Sequence, residues 1–184
     1  MLENIEMKLL DRIKKLTTLR FFLVFLILTI IVVMAMGNIT PQILALSGGA
    51  PILDIRPGYT FVEVEHLLTV LGEQGRQLYA TFQILDLVFP LAYGMTLTLA
   101  LTGVITRLLP EGHPIEKAVS IPILGMIFDY LENITIAALI ASYPNLSPLA
   151  VSVASIFTQL KWSFIILACV LLVLLAVPAL IKKK

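Results

Sequence analysis

From Phe21 to Gly37 the chain carries no charged residue, and this run is closed by Arg20 on one side and by Asn38 and Pro41 on the other. A helix needs about 20 predominantly apolar residues, rising roughly 1.5 Å each, to cross about 30 Å of hydrocarbon. Three more runs come up to that length, over 78–105, 119–141 and 150–181. With 59% hydrophobic and only 14% charged residues among 184, the chain is too apolar for an ordinary water-soluble domain. The expectation is an all-α, polytopic integral membrane protein, a four-transmembrane-helix bundle forming a single domain over residues 1–184. Its parts are a leader (1–19), the span 21–37, an outer loop (38–77), the span 78–105, an inner loop (106–118), the span 119–141, a second outer loop (142–149), the span 150–181 and a tail (182–184).

Orientation follows from the basic residues, which accumulate in cytoplasmic loops. One side would hold Lys8, Arg12, Lys14, Lys15, Arg20, Arg107, Lys117 and the Lys182–Lys184 triplet, and the other Arg56, Arg76 and Lys161. Both termini are therefore expected in the cytoplasm, most simply at a prokaryotic cytoplasmic (inner) membrane. The long charged leader makes the first span an anchor rather than a cleaved signal, although Ala35-Met36-Gly37 loosely resembles a cleavage site. Leu2, Ile5, Leu9, Ile13 and Leu16 give that leader one apolar helical face, suited to the inner membrane surface or to a simple extension of the first span.

A net charge of +1, with the basic residues at the chain ends, argues against a nucleic-acid partner. The single Cys169 rules out an intrachain disulfide and dithiol redox chemistry, and with them thiol-based quinone reductases and disulfide-stapled tetraspanins. Within the long loop, Arg56-Pro57-Gly58-Tyr59 reads as a turn. Thr60 and Glu63 form a capping box that starts a short extracytoplasmic helix over 61–71, ended by Gly72.

The functional argument rests on polar residues inside the spans. An ionised side chain at the bilayer centre costs at least about 2.5 to 3.5 kcal/mol on insertion scales, so it faces protein or water. Asp86 in the second span and Asp129 and Glu132 in the third are such residues. At 100° per residue Asp129, Glu132 and Asn133 share one face with Gly125 and Pro122, and Tyr79, Gln83, Asp86, Pro90 and Tyr93 share another. Counting depth from the cytoplasmic ends puts Tyr93 at about 18 Å, level with Glu132 at about 16 Å, and both Asp86 and Lys161 at about 28 Å. Asp86 is thus expected to pair with Lys161 at the mouth of a pocket open to the outer leaflet. Thr158 would lie one turn above Lys161, the other polar groups deeper, and Tyr79 and Arg76 near lipid headgroups. Pro90 frees a backbone carbonyl one turn earlier, near Asp86.

The leading expectation is a pocket that binds a lipid or amphipathic small molecule and can act on it, with a proton-coupled carrier and a non-catalytic scaffold as the alternatives. As an enzyme, it would use Glu132, Asp129 or Asp86 as acid or base, with Tyr93, Asn133, Lys161, Tyr79, Arg76, Gln83 and Thr158 binding a lipid or amphipathic small molecule. As a proton-coupled carrier it would work as a homo-oligomer, because four spans alone make no path. As a non-catalytic scaffold or assembly subunit, it would use the same residues as interhelical glue. Asp129 and Glu132 at i and i+3 are a weak Mg²⁺ or Ca²⁺ pair, and no cofactor is implied. Glu63, Glu65 and His66, and separately His113 with Glu116, read as solvated groups rather than metal sites. Trp162 reads as an interfacial belt residue. Membrane lipid and a lipid-like or small-molecule ligand are the expected partners.

Three strings carry a resemblance: Leu71-Gly72-Glu73-Gln74-Gly75-Arg76-Gln77-Leu78-Tyr79, Leu85-Asp86-Leu87-Val88-Phe89-Pro90 with Tyr93-Gly94, and Phe128-Asp129-Tyr130-Leu131-Glu132-Asn133. Together they resemble an uncharacterised group of small four-span prokaryotic membrane proteins, across roughly residues 54–161. The resemblance implies four spans and no particular activity.

Overall fold

The computed structural model describes residues 2–181, with the side chains of residue 8 and of 10–178. The leader face at Leu2, Ile5 and Leu9 and the tail 182–184 therefore lie outside what is described. Among the described residues all regular structure is helical, without strands, and four of the helices are long and apolar enough to cross a membrane.

Seven α-helices follow one another among the described residues: α1 (Leu2–Leu16), α2 (Leu19–Leu46), α3 (Phe61–Val70), α4 (Gly72–Leu85), α5 (Phe89–Leu108), α6 (Ser120–Ser142) and α7 (Pro148–Ile181). Short 3-10 turns occupy Leu53–Ile55 and Pro114–Val119. The helix of the first span does not stop at Gly37 but continues through Asn38 and Pro41 to Leu46. Asn38 and Thr40 bend their side chains back onto the carbonyls of Met34 and Met36 (both 2.9 Å), so polar residues that look like an exit are absorbed by the helix. The second span also starts earlier than its apolar pattern, at Gly72, because Glu73, Gln74 and Gln77 are exposed on the first turns of α4.

That span is two helices, not one. α4 ends at Leu85, residues 86–88 form a turn, and α5 begins with Pro90 in its first turn. Proline has no N–H to give the carbonyl four residues back, which here belongs to Asp86. Two side chains of α6 meet the interruption: Asn133 Nδ2 donates to the Asp86 carbonyl at 2.9 Å, and the Tyr130 hydroxyl donates to the Leu87 carbonyl at 3.0 Å.

α6 and α7 pair along their length, with α5 against both and α2 against α4 and α5. Small residues permit the close approaches: a Cβ on Gly94 would lie 3.0 Å from Met126 on α6, and one on Gly125 would lie 3.4 Å from Ile165 and Phe164 on α7. Two apolar clusters result. One, at the end holding the long loop, gathers Ile43, Leu53, Leu67, Tyr79, Ile136 and Val151. The other, at the end holding α1 and the last turns of α7, gathers Ile13 of α1 with Leu101, Ile105 and Val119. There α1 is fastened by Lys14, whose ammonium contacts Glu116 at 3.0 Å. The site lies between the two clusters.

The capping box at Thr60 and Glu63 is present and α3 ends before Gly72, which takes a positive φ of 60°. The hydrogen bonds that Glu63 accepts from Thr60 hold its carboxyl below the ordinary value of 4.5. A hydrogen bond to Glu116 holds the Lys14 ammonium above the ordinary lysine value.

Candidate functional site: a buried cluster of carboxylates around Lys161

Four carboxyl groups and one ammonium are buried together. Their fractional exposures are 4% for Asp54, 2% for Asp86, 2% for Asp129, 0% for Glu132 and 4% for Lys161. Lys161 of α7 forms its ion pairs with Glu132 and, at 3.4 Å, with Asp129, both on α6. It does not pair with Asp86. The depth count assumed a straight second span, whereas the break after Leu85 turns Asp86 into the cap of α4. Asp86 remains within electrostatic reach of Asp54, Asp129 and Lys161, and its Oδ1 has no hydrogen-bond partner.

Thr158, one turn before Lys161, donates to Glu132 Oε1 at 2.5 Å, and its oxygen lies 3.2 Å from the Tyr59 hydroxyl. Asn133 is committed to the Asp86 carbonyl through its nitrogen, leaving Oδ1 unpartnered. Tyr93 on α5 lies beside Asp129 and within electrostatic reach of Asp86 and Glu132.

Asp54 is the residue that sequence reasoning missed. The segment around it folds into the bundle instead of lying over it: Ile52 and Leu53 are buried, the Tyr79 hydroxyl donates to Asp54 Oδ2 at 2.5 Å, and Gln83 Nε2 donates to Oδ1 at 2.8 Å. The Leu53 amide donates back to the Tyr79 hydroxyl at 3.0 Å. Lys161 and Trp162 both donate to the Asp54 backbone carbonyl at 3.2 Å, so Trp162 takes part in the site rather than only in an interfacial belt. Tyr79, expected near a headgroup, is fully buried on Asp54. The signal was present in Ile52-Leu53-Asp54-Ile55, a single acid inside an apolar stretch of a supposedly wet loop.

The same segment covers the end of the cluster at which a mouth was expected. Tyr59 docks on α7 through its amide, which donates to Ser155 Oγ at 2.9 Å, and burial pushes its phenol well above the usual tyrosine range. Gly58, at φ 151°, lies so close to α7 that a Cβ would stand 2.9 Å from Gln159 Nε2 and 3.3 Å from Ser155 Oγ. Residues 53–59 therefore act as a plug seated on α4 and α7, and the cluster is not open in that direction.

Arg76 stands apart from the cluster. Its guanidinium donates to the Leu68 carbonyl at 2.8 Å and lies 4.2 Å over the Tyr143 ring, joining α3, α4 and the loop before α7. Asp129 and Glu132 both face the Lys161 ammonium, and no group of three or more His, Cys, Asp or Glu among the described residues is arranged to hold a metal ion. Glu63 is used by the capping box, His113 Nδ1 accepts from the Ile115 amide at 3.2 Å, and Glu116 receives Lys14.

Chemically, four carboxylates against one ammonium leave three negative charges uncompensated if every group is ionised. Each uncompensated buried charge costs several kcal/mol, so such a site takes up protons or another cation. Comparison with known proteins adds no activity: no family model matches the chain, and neither a curated protein nor a solved structure matches it.

Proposed function

We propose that the chain is a four-span integral membrane protein whose buried carboxylate cluster binds and releases protons, and that it works as a small proton-coupled carrier. The distribution of side chains supports insertion. Val24, Ile27, Met34, Ile134 and Val173 are exposed while Asp86, Asp129, Glu132, Asn133 and Lys161 are buried, the reverse of a protein built for water. The excess of basic residues at the end holding both termini orients that end toward the cytoplasm of a prokaryotic cell. The plug of residues 53–59 then lies on the outer side.

The observation that carries the carrier reading is the surplus of buried carboxyl groups around a single lysine. A scaffold needs each charge matched once, and a matched Glu132–Lys161 pair would suffice for packing. Two more features point the same way. The span is broken next to Asp86, and backbone interrupted at membrane depth is tolerated where it is satisfied by neighbouring side chains and lines a functional cavity. The plug is held by side-chain hydrogen bonds, contacts that can be exchanged without unfolding the bundle. Four spans enclose no continuous path by themselves, so the carrier is a homo-oligomer.

The test is a rapid pH step applied to proteoliposomes on a solid-supported membrane. Proton binding to the cluster gives a transient charge displacement for the native chain, and the double variant Asp86→Asn with Glu132→Gln, close in shape and without two of the proton acceptors, removes most of it. Equal transients in both proteins, or none in either while the protein is folded, would exclude the proposal.

A further inference from the structure

Between α4 and α6 a lateral cleft of about 370 Å³ opens on the surface of the bundle. This is a volume typical of small-molecule sites. Its walls are apolar, including Ala80, Ile84, Ile134 and Ala137, but Gln83 and Asn133 also line it. These two are 5% and 2% exposed, and each has a carbonyl oxygen with no hydrogen-bond partner. Buried polar atoms are nearly always satisfied, so two adjacent exceptions at one cleft call for an explanation.

The orientation of both amides is fixed by what lies behind them. Gln83 Nε2 donates to Asp54 and Asn133 Nδ2 to the Asp86 carbonyl, acceptors that only an N–H can meet, so neither amide can be flipped to offer its nitrogen to the cleft. Two unused acceptors therefore lie just under the wall of the cleft, within reach of a head group that parts the side chains covering them, and they are backed by the negative surplus of Asp54 and Asp86.

We infer that the cleft binds a single-chain amphiphilic amine, entering sideways from the lipid, with its ammonium head donating to Gln83 Oε1 and Asn133 Oδ1 and its alkyl chain between α4 and α6. The inference rests on the proton-coupled reading and deepens it by giving the carrier a substrate class. Three features select this class: apolar walls for the chain, two acceptors for the N–H donors, and the carboxylate surplus for the positive charge. A head group with acceptors only would leave both oxygens unsatisfied. A quaternary head brings the charge but no donor. A bound ammonium would also stand in for a proton in balancing the cluster's surplus of negative charge, which is the exchange a proton-coupled carrier requires.

The test uses a diazirine-bearing alkylamine, photolysed with the protein in nanodiscs and mapped by mass spectrometry. Labelling is expected on α4 and α6 around Ala80, Ile134 and Ala137, with dodecylamine competing at least tenfold better than dodecyltrimethylammonium or dodecanol. Gln83→Leu is expected to erase that preference. Ala137→Phe, which fills the cleft without touching the polar network, is expected to abolish the labelling. Dodecanol competing as well as the amine, or labels spread evenly over the exposed face of α2, would overturn the inference. A normal pH-step transient alongside such a result would refute the amine site alone, whereas loss of the transient in the native protein would refute the carrier reading itself.

Discussion

The Asn133 amide on α6 donates at 2.9 Å to the backbone carbonyl of Asp86, the group that Pro90 leaves without its helical partner. A break in one span is thus repaired by a side chain of another, and the repair lies beside the carboxylate cluster.

This relationship predicts a coupled pair of substitutions. Interhelical side-chain bonds in membrane proteins average about 0.6 kcal/mol and reach about 1.7 kcal/mol. Asn133→Ala is expected near the upper end, because it leaves the Asp86 carbonyl buried and unpaired. Pro90→Ala supplies an N–H to the same carbonyl, so the cost of Asn133→Ala is expected to fall by half or more in that background. Denaturant titrations in bicelles measure all four proteins, and strictly additive costs would refute the repair.

Lys161 carries the opposite charge for the whole cluster. Removing one partner of a buried pair typically costs about 3 to 5 kcal/mol, and Lys161→Met is expected to cost at least that much. The double variant with Glu132→Gln is expected to recover more than half of the loss, since it removes one of the stranded charges. The same titrations decide the matter: a double variant no better than Lys161→Met would show that Lys161 serves some purpose other than charge balance.

How far the site could be read in advance depended on whether its residues lie on regular helices. Asp129, Glu132 and Asn133 fall on one face by periodicity alone, and α6 presents that face to Lys161 and to the broken span. The four long apolar helices and the capping box of α3 were legible for the same reason. The partner of Lys161 was not, because a depth count assumes straight helices, and a single N–H missing at Pro90 was enough to move Asp86 out of register. Asp54 was invisible to periodicity, since a loop has none. Only the tertiary contacts with Tyr79, Gln83, Lys161 and Trp162 bring it inside.

The plug depends on the backbone at Gly58. At φ 151° an L side chain is strained by about 1 to 3 kcal/mol, and a Cβ would press on Gln159 and Ser155. Gly58→Ala is expected to lift residues 53–59, so that amide exchange at Leu53 and Tyr59 accelerates at least tenfold while that of α6 is unchanged. Mass-spectrometric hydrogen exchange reports this directly, and unaltered exchange in the plug would contradict its seating by Gly58.

Acid is expected to loosen α3 separately. Because the Glu63 carboxyl is held below its ordinary value of 4.5 in the folded state, its contribution is present above that pH and is lost as the pH falls through the lower, folded value. Exchange in the first turn of α3, corrected for intrinsic rate, is expected to stay constant from neutrality down to the ordinary carboxyl value of 4.5 and to rise only as the pH falls below it. In Glu63→Ala it is expected to be fast throughout, and a native profile in that variant would remove the capping box from the account.

Infrared difference spectroscopy in nanodiscs tests most directly whether the buried cluster holds exchangeable protons. At neutral pH a carbonyl stretching band of protonated carboxyl groups in an apolar setting is expected, sensitive to deuterium, changing with pH and altered by Glu132→Gln, Asp129→Asn and Asp86→Asn. Absence of any such band across the range in which the protein stays folded would mean that every carboxyl group in the cluster is permanently ionised, and the account would be wrong.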